Sequence, residues 1–185
     1  MKIGLLFGSF NPIHIGHIAI AKYMAEHTDL NRVWLVVTPH NPLKEKRFLA
    51  EENKRLSSVK KAIGKNSKIK VCDVEFSLPQ PSYTINTLTF LKKKYPQHDF
   101  VLIIGSDNLN LFHKWKDHKK ILLDFELYVY PRFSPLKREN VERSETRGIP
   151  SRRNIKLFDA PLLDVSSTFI RDQIKKGKGV KHLLP

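Results

Sequence analysis

A chain of 185 residues with one cysteine and a formal charge of +15 can bury one sizeable core, but it can form neither an internal disulfide nor a cysteine-built zinc site. No apolar run approaches the roughly 18 residues of a membrane span, and KIGLLF at the start is too short for a signal-peptide core, so a soluble, cytoplasmic protein with no membrane partner is expected. The positive charge points to an anionic partner, and its spread over small clusters such as KEKR, KKK and SRR favours a solvated basic surface over a nucleic-acid-binding arm.

KIGLLF reads as a first strand, ending at Gly8. The stretch Gly8 to His17, GSFNPIHIGH, then leads into HIAIAKYMAEHT, a helix beginning near His17 with Ile18, Ala21, Met24 and Ala25 on one stripe. RVWLVV is a second strand, and Glu51 to Ile63 a helix whose stripe holds Leu56, Val59 and Ile63. KIKVCDV follows, with Cys72 as a core residue, and Thr84 to Lys94 is a helix with Leu88 and Leu91 inward. FVLIIG and ELYVY are further strands with a helical segment between them. Residues 134–154 are nearly devoid of large apolar side chains and predict an exposed loop. IKLFDAPLLDV reads as a last short strand and turn, and SSTFIRDQIKKGKG as a closing helix, in a C-terminal motif region over 163–185. Strands buried on both faces and alternating with helices predict an α/β fold, a doubly wound parallel sheet in one domain over 1–185, with ligands at the carboxyl ends of its strands.

The first loop has the chemistry of a phosphate cradle. Gly8 and Gly16 allow close backbone approach, Pro12 stiffens the turn, and the helix that follows offers unpaired N–H groups and the positive end of its dipole. His14 and His17 could converge on one phosphate, donating hydrogen bonds and, if protonated, charge. A pair of surface histidines, or a metal-binding pair, is the alternative. No Cys, Glu or third His lies nearby at ligand spacing, so no metal site is predicted.

In VSSTFIR, either Ser166 or Ser167 caps the closing helix, and Arg171 leans back towards its start, where it could meet a bound anion; a plain cap with a surface arginine is the alternative. Gly105 and Asp107 follow FVLII at the same sheet edge as Gly8, and Asp107 suits either ribose hydroxyls or a helix cap. Ser82, Tyr83 and Thr84 open the third helix, whose amides could receive a carboxylate or simply be capped. Trp115 could stack on a planar ring or pack on the sheet edge. Lys44 beyond the second strand and Arg132 after ELYVYP are candidates for phosphate, with a solvated side chain as the alternative.

GSFNPIHIGH together with VSSTFIR resembles the paired motifs of the HIGH-motif nucleotidyltransferase superfamily. With NPLK, PSYTINTL and IIGSDNLNLFHKW, the resemblance is closest to the bacterial nicotinate-nucleotide adenylyltransferase family. It implies a Rossmann-like nucleotidyltransferase fold with a small C-terminal helical part, ATP and nicotinate mononucleotide as partners, Mg²⁺ arriving with ATP, and no nucleic acid. A homo-oligomer is left open. It further implies that Gly8, Ser9, Phe10, His14, His17, Gly105, Asp107, Ser166, Ser167 and Arg171 bind ATP, with His14, His17 and Arg171 acting in catalysis. Lys44, Ser82, Tyr83, Thr84, Trp115 and Arg132 are implied for the mononucleotide, with the Ser82 to Thr84 region and Trp115 recognising the nicotinate carboxylate. The chain departs from the family at Gly8, Ser9 and Asn11, where two glycines and an aspartate are usual, and relatives continue past KHLLP through a further short helix. Phosphopantetheine adenylyltransferases share the first motif and are the second reading. A basic nucleic-acid-binding protein without catalysis is the third, although no aromatic-basic RNA-binding signature is present.

Overall fold

A computed structural model describes residues 1–42, 49–132, 154–160 and 165–185, with every side chain in them except that of Asn110. Lys44, nearly all of the expected loop at 134–154, and the first two residues of the region 163–185 therefore lie outside the described residues.

Six described strands run parallel: β1 (Lys2–Gly8), β2 (Arg32–Val37), β3 (Ile69–Cys72), β4 (Asp99–Gly105), β5 (Glu126–Tyr130) and β6 (Ile155–Leu157). Their order in the sheet is β3-β2-β1-β4-β5-β6. Helices α1 (Ile15–His27), α2 (Glu52–Ile63), α3 (Thr84–Lys94), α4 (Ser106–Asn110), α5 (His118–Asp124) and α6 (Ser167–Lys175) connect or follow them. The expected doubly wound sheet is the one observed.

Strands β1, β2, β4 and β5 bury both faces, which is why they read as continuous apolar runs, whereas the outer strands β3 and β6 are only partly covered. One face carries Leu6, Leu35, Val101, Ile103 and Tyr128 against Met24 of α1 and Val59 of α2. The other carries Leu5, Val36, Leu102, Ile104 and Val129 against Leu88 and Leu91 of α3 and Ile121 of α5. Cys72 belongs to this second layer, and burial pushes its thiol up to about 11, as suits an inert core residue.

Two boundaries differ from the sequence reading. Helix α1 starts at Ile15 rather than near His17, because His14 takes the extended N-cap position and its carbonyl already accepts from His17 and Ile18. The helical segment between β4 and β5 is broken into α4, a 3₁₀ turn at Phe112–Lys114, and α5, the last entered through Asp117 in a left-handed conformation. Among the described residues no helix is long and apolar enough to cross a membrane.

The chain grows outward from β1 to β3 and then returns through α3 to β4 on the other side of β1. The crevice between the carboxyl ends of β1 and β4 is therefore a topological switch point. The opposite end of the sheet is clamped by charge: Lys2 pairs with Asp29 at 2.8 Å and Glu126 at 2.7 Å, and Lys156 pairs with Glu126 at 3.0 Å.

Candidate functional site

A cleft of about 810 Å³ opens at the switch point, lined by the β1–α1 loop, the ends of β2 and β4, the start of α3 and the start of α6. Of the residues expected to act, Gly8, Ser9, Phe10, His17, Ser82, Tyr83, Thr84, Gly105, Asp107, Trp115, Arg132, Ser166, Ser167 and Arg171 all line it. His14 does not, and Lys44 lies outside the described residues.

The β1–α1 loop is held by its carbonyl groups. The Ser9 carbonyl accepts from Arg55 Nη1 at 2.6 Å, the Asn11 carbonyl from Arg171 Nη1 at 2.7 Å, and the Pro12 carbonyl from Ser167 Oγ at 3.0 Å. The amide of Ala50 donates to Asn11 Oδ1 at 3.1 Å, so the asparagine found in place of the usual aspartate still anchors the loop. Phe10 is left-handed, with φ of 44°, a conformation costly for an aromatic residue and sustained by these flanking bonds. The two glycines serve this packing, and Gly8 also lines the cleft. A Cβ at Gly8 would stand 2.8 Å from the Phe10 ring, and one at Gly16, buried inside α1, would stand 3.0 Å from the His14 ring.

The two histidines divide into an outer and an inner ring. His17 faces the cleft, and its Nδ1 accepts from the His14 amide at 3.2 Å, which leaves Nε2 to carry the proton and present it as a donor. The His14 ring stacks behind it at 3.7 Å and is 2% exposed. Burial, aided by the charge of Arg132, lowers its pKa to about 4. A protonated His14 at neutral pH, as the sequence allowed, is therefore corrected to a neutral imidazole. Neither of its ring nitrogens finds a hydrogen-bond partner among the described residues.

Ser166, rather than Ser167, caps α6, accepting from the Phe169 amide at 3.1 Å. Arg171 leans back one turn, its Nη2 donating to Thr168 Oγ1 at 3.1 Å. The N-terminal and C-terminal motifs thus touch each other directly.

At the end of β4, Gly105 takes the N-cap of α4 and no side chain caps the helix, so the capping alternative for Asp107 falls away. Asp107 instead faces Arg132 at 3.6 Å. A Cβ on Gly105 would collide with Asp107 Oδ1, so any larger residue there would displace the Asp107 carboxylate from its place facing Arg132. Arg132 is fixed through its backbone, where its amide donates to Ser106 Oγ at 3.0 Å.

At the start of α3, which Tyr83 and Thr84 bring to the cleft, Tyr83 occupies the N-cap without a side-chain bond and its carbonyl takes the Asn86 amide, so the Thr84 and Ile85 amides are left without a bond inside the helix. Trp115 packs on Phe112 with ring centroids 5.2 Å apart and also lines the cleft. Lys116 lies over the Tyr83 ring at 4.5 Å. Among the described residues no three His, Cys, Asp or Glu side chains gather as a metal cage.

Three features escape the sequence reading. Glu75 is 1% exposed and lines the cleft; Thr87 Oγ1 donates to its Oε1 at 2.6 Å, and burial raises its pKa against the hydroxyls of Thr87, Thr38 and Ser82. Lys114 and Lys116, which look solvated in HKWKDHKK, border the cleft beside Trp115. Arg55 is 3% exposed, and its only sequence signal is its place four residues before Val59, on the apolar stripe of α2.

The cytidylyltransferase-like family profile matches residues 5–173. The chain is 52% identical to a probable nicotinate-nucleotide adenylyltransferase of Flavobacterium johnsoniae, with 100% of this chain and 92% of that protein aligned. It is 44% identical to a protein of the same description from Bacteroides fragilis, over 99% of this chain and 87% of the other. A solved structure of a Plasmodium falciparum nicotinic acid mononucleotide adenylyltransferase complexed with NaAD superposes with a TM-score of 0.81 at 21% identity, covering 99% and 90% of the two chains. That likeness establishes the fold as the Rossmann-like one expected.

Proposed function

Because the chain belongs to the nicotinate-nucleotide adenylyltransferase family, within the wider cytidylyltransferase-like group, we propose that it transfers the adenylyl group of ATP to nicotinate mononucleotide, forming deamido-NAD and pyrophosphate. The observation that carries this reading is the meeting of the two motifs at one cleft, where Arg171 and Ser167 of α6 seize the Asn11 and Pro12 carbonyls of the β1–α1 loop. The family match over 5–173 supports treating 1–185 as one nucleotidyltransferase domain; its place of work, in this reading, is the cytoplasm.

A phosphate oxygen of the mononucleotide attacks the α-phosphorus of ATP in line, the bond from that phosphorus to the α,β-bridging oxygen breaks, and pyrophosphate leaves with the electron pair. The nucleophile is already an anion, so no side chain need remove a proton. The protein's work is positioning and stabilisation of charge. His17 Nε2 and the Arg171 guanidinium are the donors to the reacting phosphates, with Ser166 and Lys44 assisting. His14, neutral and buried, can contribute only as a hydrogen-bond donor. Gly105 and Asp107 receive the ribose of ATP. Mg²⁺ accompanying ATP would neutralise phosphate charge, and with no carboxylate cage among the described residues it would rely on the phosphates and water for its ligands.

The other end of the cleft receives the nicotinate ring. Trp115 offers a face for stacking, and the open amides at the start of α3, with Thr84 and Lys116, offer partners for a carboxylate. Pyrophosphate release with MgATP tests the reading, with nicotinate mononucleotide, nicotinamide mononucleotide and phosphopantetheine run in parallel. Selective turnover of the first is expected. Turnover of phosphopantetheine alone would keep the phosphate site and overturn the substrate, and silence with all three would overturn the reaction.

A further inference from the structure

Arg55 is a buried cation that ties loops together. Its guanidinium makes four hydrogen bonds, all to backbone carbonyls: Nη1 to Ser9 at 2.6 Å and Thr38 at 2.8 Å, Nη2 to Pro39 at 2.8 Å, and Nε to Ala50 at 2.9 Å. Among the described residues no carboxylate forms a close ion pair with it, and Glu52 acts on it only through space. Burying an arginine without a directly bonded counter-ion is expensive, and a helix anchored only by packing would place an apolar side chain at this point of its stripe.

The bonded carbonyls lie on both sides of the cleft. Ser9 immediately precedes the left-handed Phe10 of the phosphate loop. Thr38 and Pro39 run directly into His40, whose carbonyl accepts from the Ser82 amide at 2.9 Å at the segment that opens α3. One rigid, planar group therefore connects the wall expected to hold ATP to the wall expected to hold the mononucleotide.

We infer that Arg55 is a positioning residue that sets the distance between the two halves of the cleft. The inference rests on the adenylyl-transfer reading for its kinetic consequence, because in-line attack requires the two phosphates at near-contact distance, where a misplacement of about 1 Å can cost on the order of 100-fold in rate. Each substrate is bound by one wall and so needs no such registration to bind. A lysine cannot replace the planar fork, since its ammonium presents donors from a single point.

The test uses Arg55→Lys and Arg55→Ala in the full chain. The expected result for Arg55→Lys is a fall in kcat on the order of 100-fold, with KM for each substrate within about threefold of wild type. Millimolar guanidinium should restore part of the rate to Arg55→Ala and none to wild type. Amide hydrogen exchange on the same variants should show protection lost together in residues 9–13 and 38–41. Unchanged kcat in a folded variant, or protection lost in α2 alone, would overturn the inference, as would failure of both variants to fold, which would assign Arg55 to fold stability. A wild-type protein that turns over no mononucleotide would sink the reaction, while hydrogen exchange would still decide whether Arg55 couples the loops.

Discussion

The guanidinium of Arg171 lies 2.7 Å from the carbonyl of Asn11, a bond across 160 residues that joins the closing helix to the first loop. Its second nitrogen is spent on Thr168, one turn back on the same helix. The side chain is thus already aimed at the mouth of the cleft, and a bound phosphate would meet a preorganised donor.

Arg171→Ala should lower kcat by on the order of 100- to 1000-fold, the scale for removing one donor from a preorganised anion site. Arg171→Lys should recover little, because an ammonium cannot hold the Asn11 carbonyl and a phosphate with one planar fork. Steady-state pyrophosphate release checks the rate. A melting curve checks that the half-buried side chain has not been replaced at the expense of the fold.

His17 can be separated into two roles. Its Nδ1 accepts from the His14 amide at the start of α1, and its ring lines the cleft. His17→Asn places an acceptor oxygen where Nδ1 was and removes the outer donor, so the helix start should survive while turnover falls. His17→Ala should lose both. The expected signature is a kcat loss of about 100-fold or more in each, with KM for ATP changing far less, and a lower melting temperature only for the alanine variant. Near-normal turnover in His17→Asn would remove His17 from the chemistry.

The sheet was legible because strands buried on both faces cannot hide. KIGLLF, RVWLVV, FVLIIG and ELYVY are apolar at nearly every position, and the structure puts those residues into two core layers. The loop residues were legible for a different reason: glycine, proline, histidine and serine at strand ends carry local chemistry. Their individual duties were less so. Gly8 makes room for the Phe10 ring, and His14 lies behind His17, both consequences of packing between residues that periodicity does not relate. Arg55 and Glu75 were missed because a charged residue in a polar segment reads as solvated, whereas here backbone carbonyls and hydroxyls from distant segments enclose them.

The nicotinate end of the cleft should show itself in selectivity. Lys116 rests on the Tyr83 ring beside Trp115, a cation placed where a carboxylate would distinguish the acid from the amide. Lys116→Gln should lower kcat/KM for nicotinate mononucleotide by roughly 10- to 150-fold, the range of one charge-assisted hydrogen bond, and leave nicotinamide mononucleotide nearly unaffected. Trp115→Ala should weaken both mononucleotides alike, since a stacking face does not read the substituent. A ratio of kcat/KM values unmoved by Lys116→Gln would place the carboxylate elsewhere.

The inner histidine should make the fold sensitive to mild acid. Burial holds the His14 pKa near 4, against 6.5 for an ordinary imidazole, so between those values the unfolded chain binds a proton that the folded chain refuses. Stability therefore rises with pH through that window, and the contribution present above pH 6.5 is lost as the pH falls towards 4, at a slope approaching about 1.4 kcal/mol per pH unit. Glu75 runs the other way. Its carboxyl is held above the usual range, so the folded state keeps a proton that the unfolded chain gives up, and that contribution is lost as the pH rises. The two effects separate in the comparison of wild type with His14→Asn, because Glu75 is common to both. Urea midpoints taken from pH 7 to pH 4 should fall more steeply for wild type than for His14→Asn, and the difference between the two curves should flatten above pH 6.5. Parallel curves would mean that His14 protonates in the folded protein as readily as in the unfolded one, and its ring would then have to reach water, contrary to the packing of His17 and Gly16 around it.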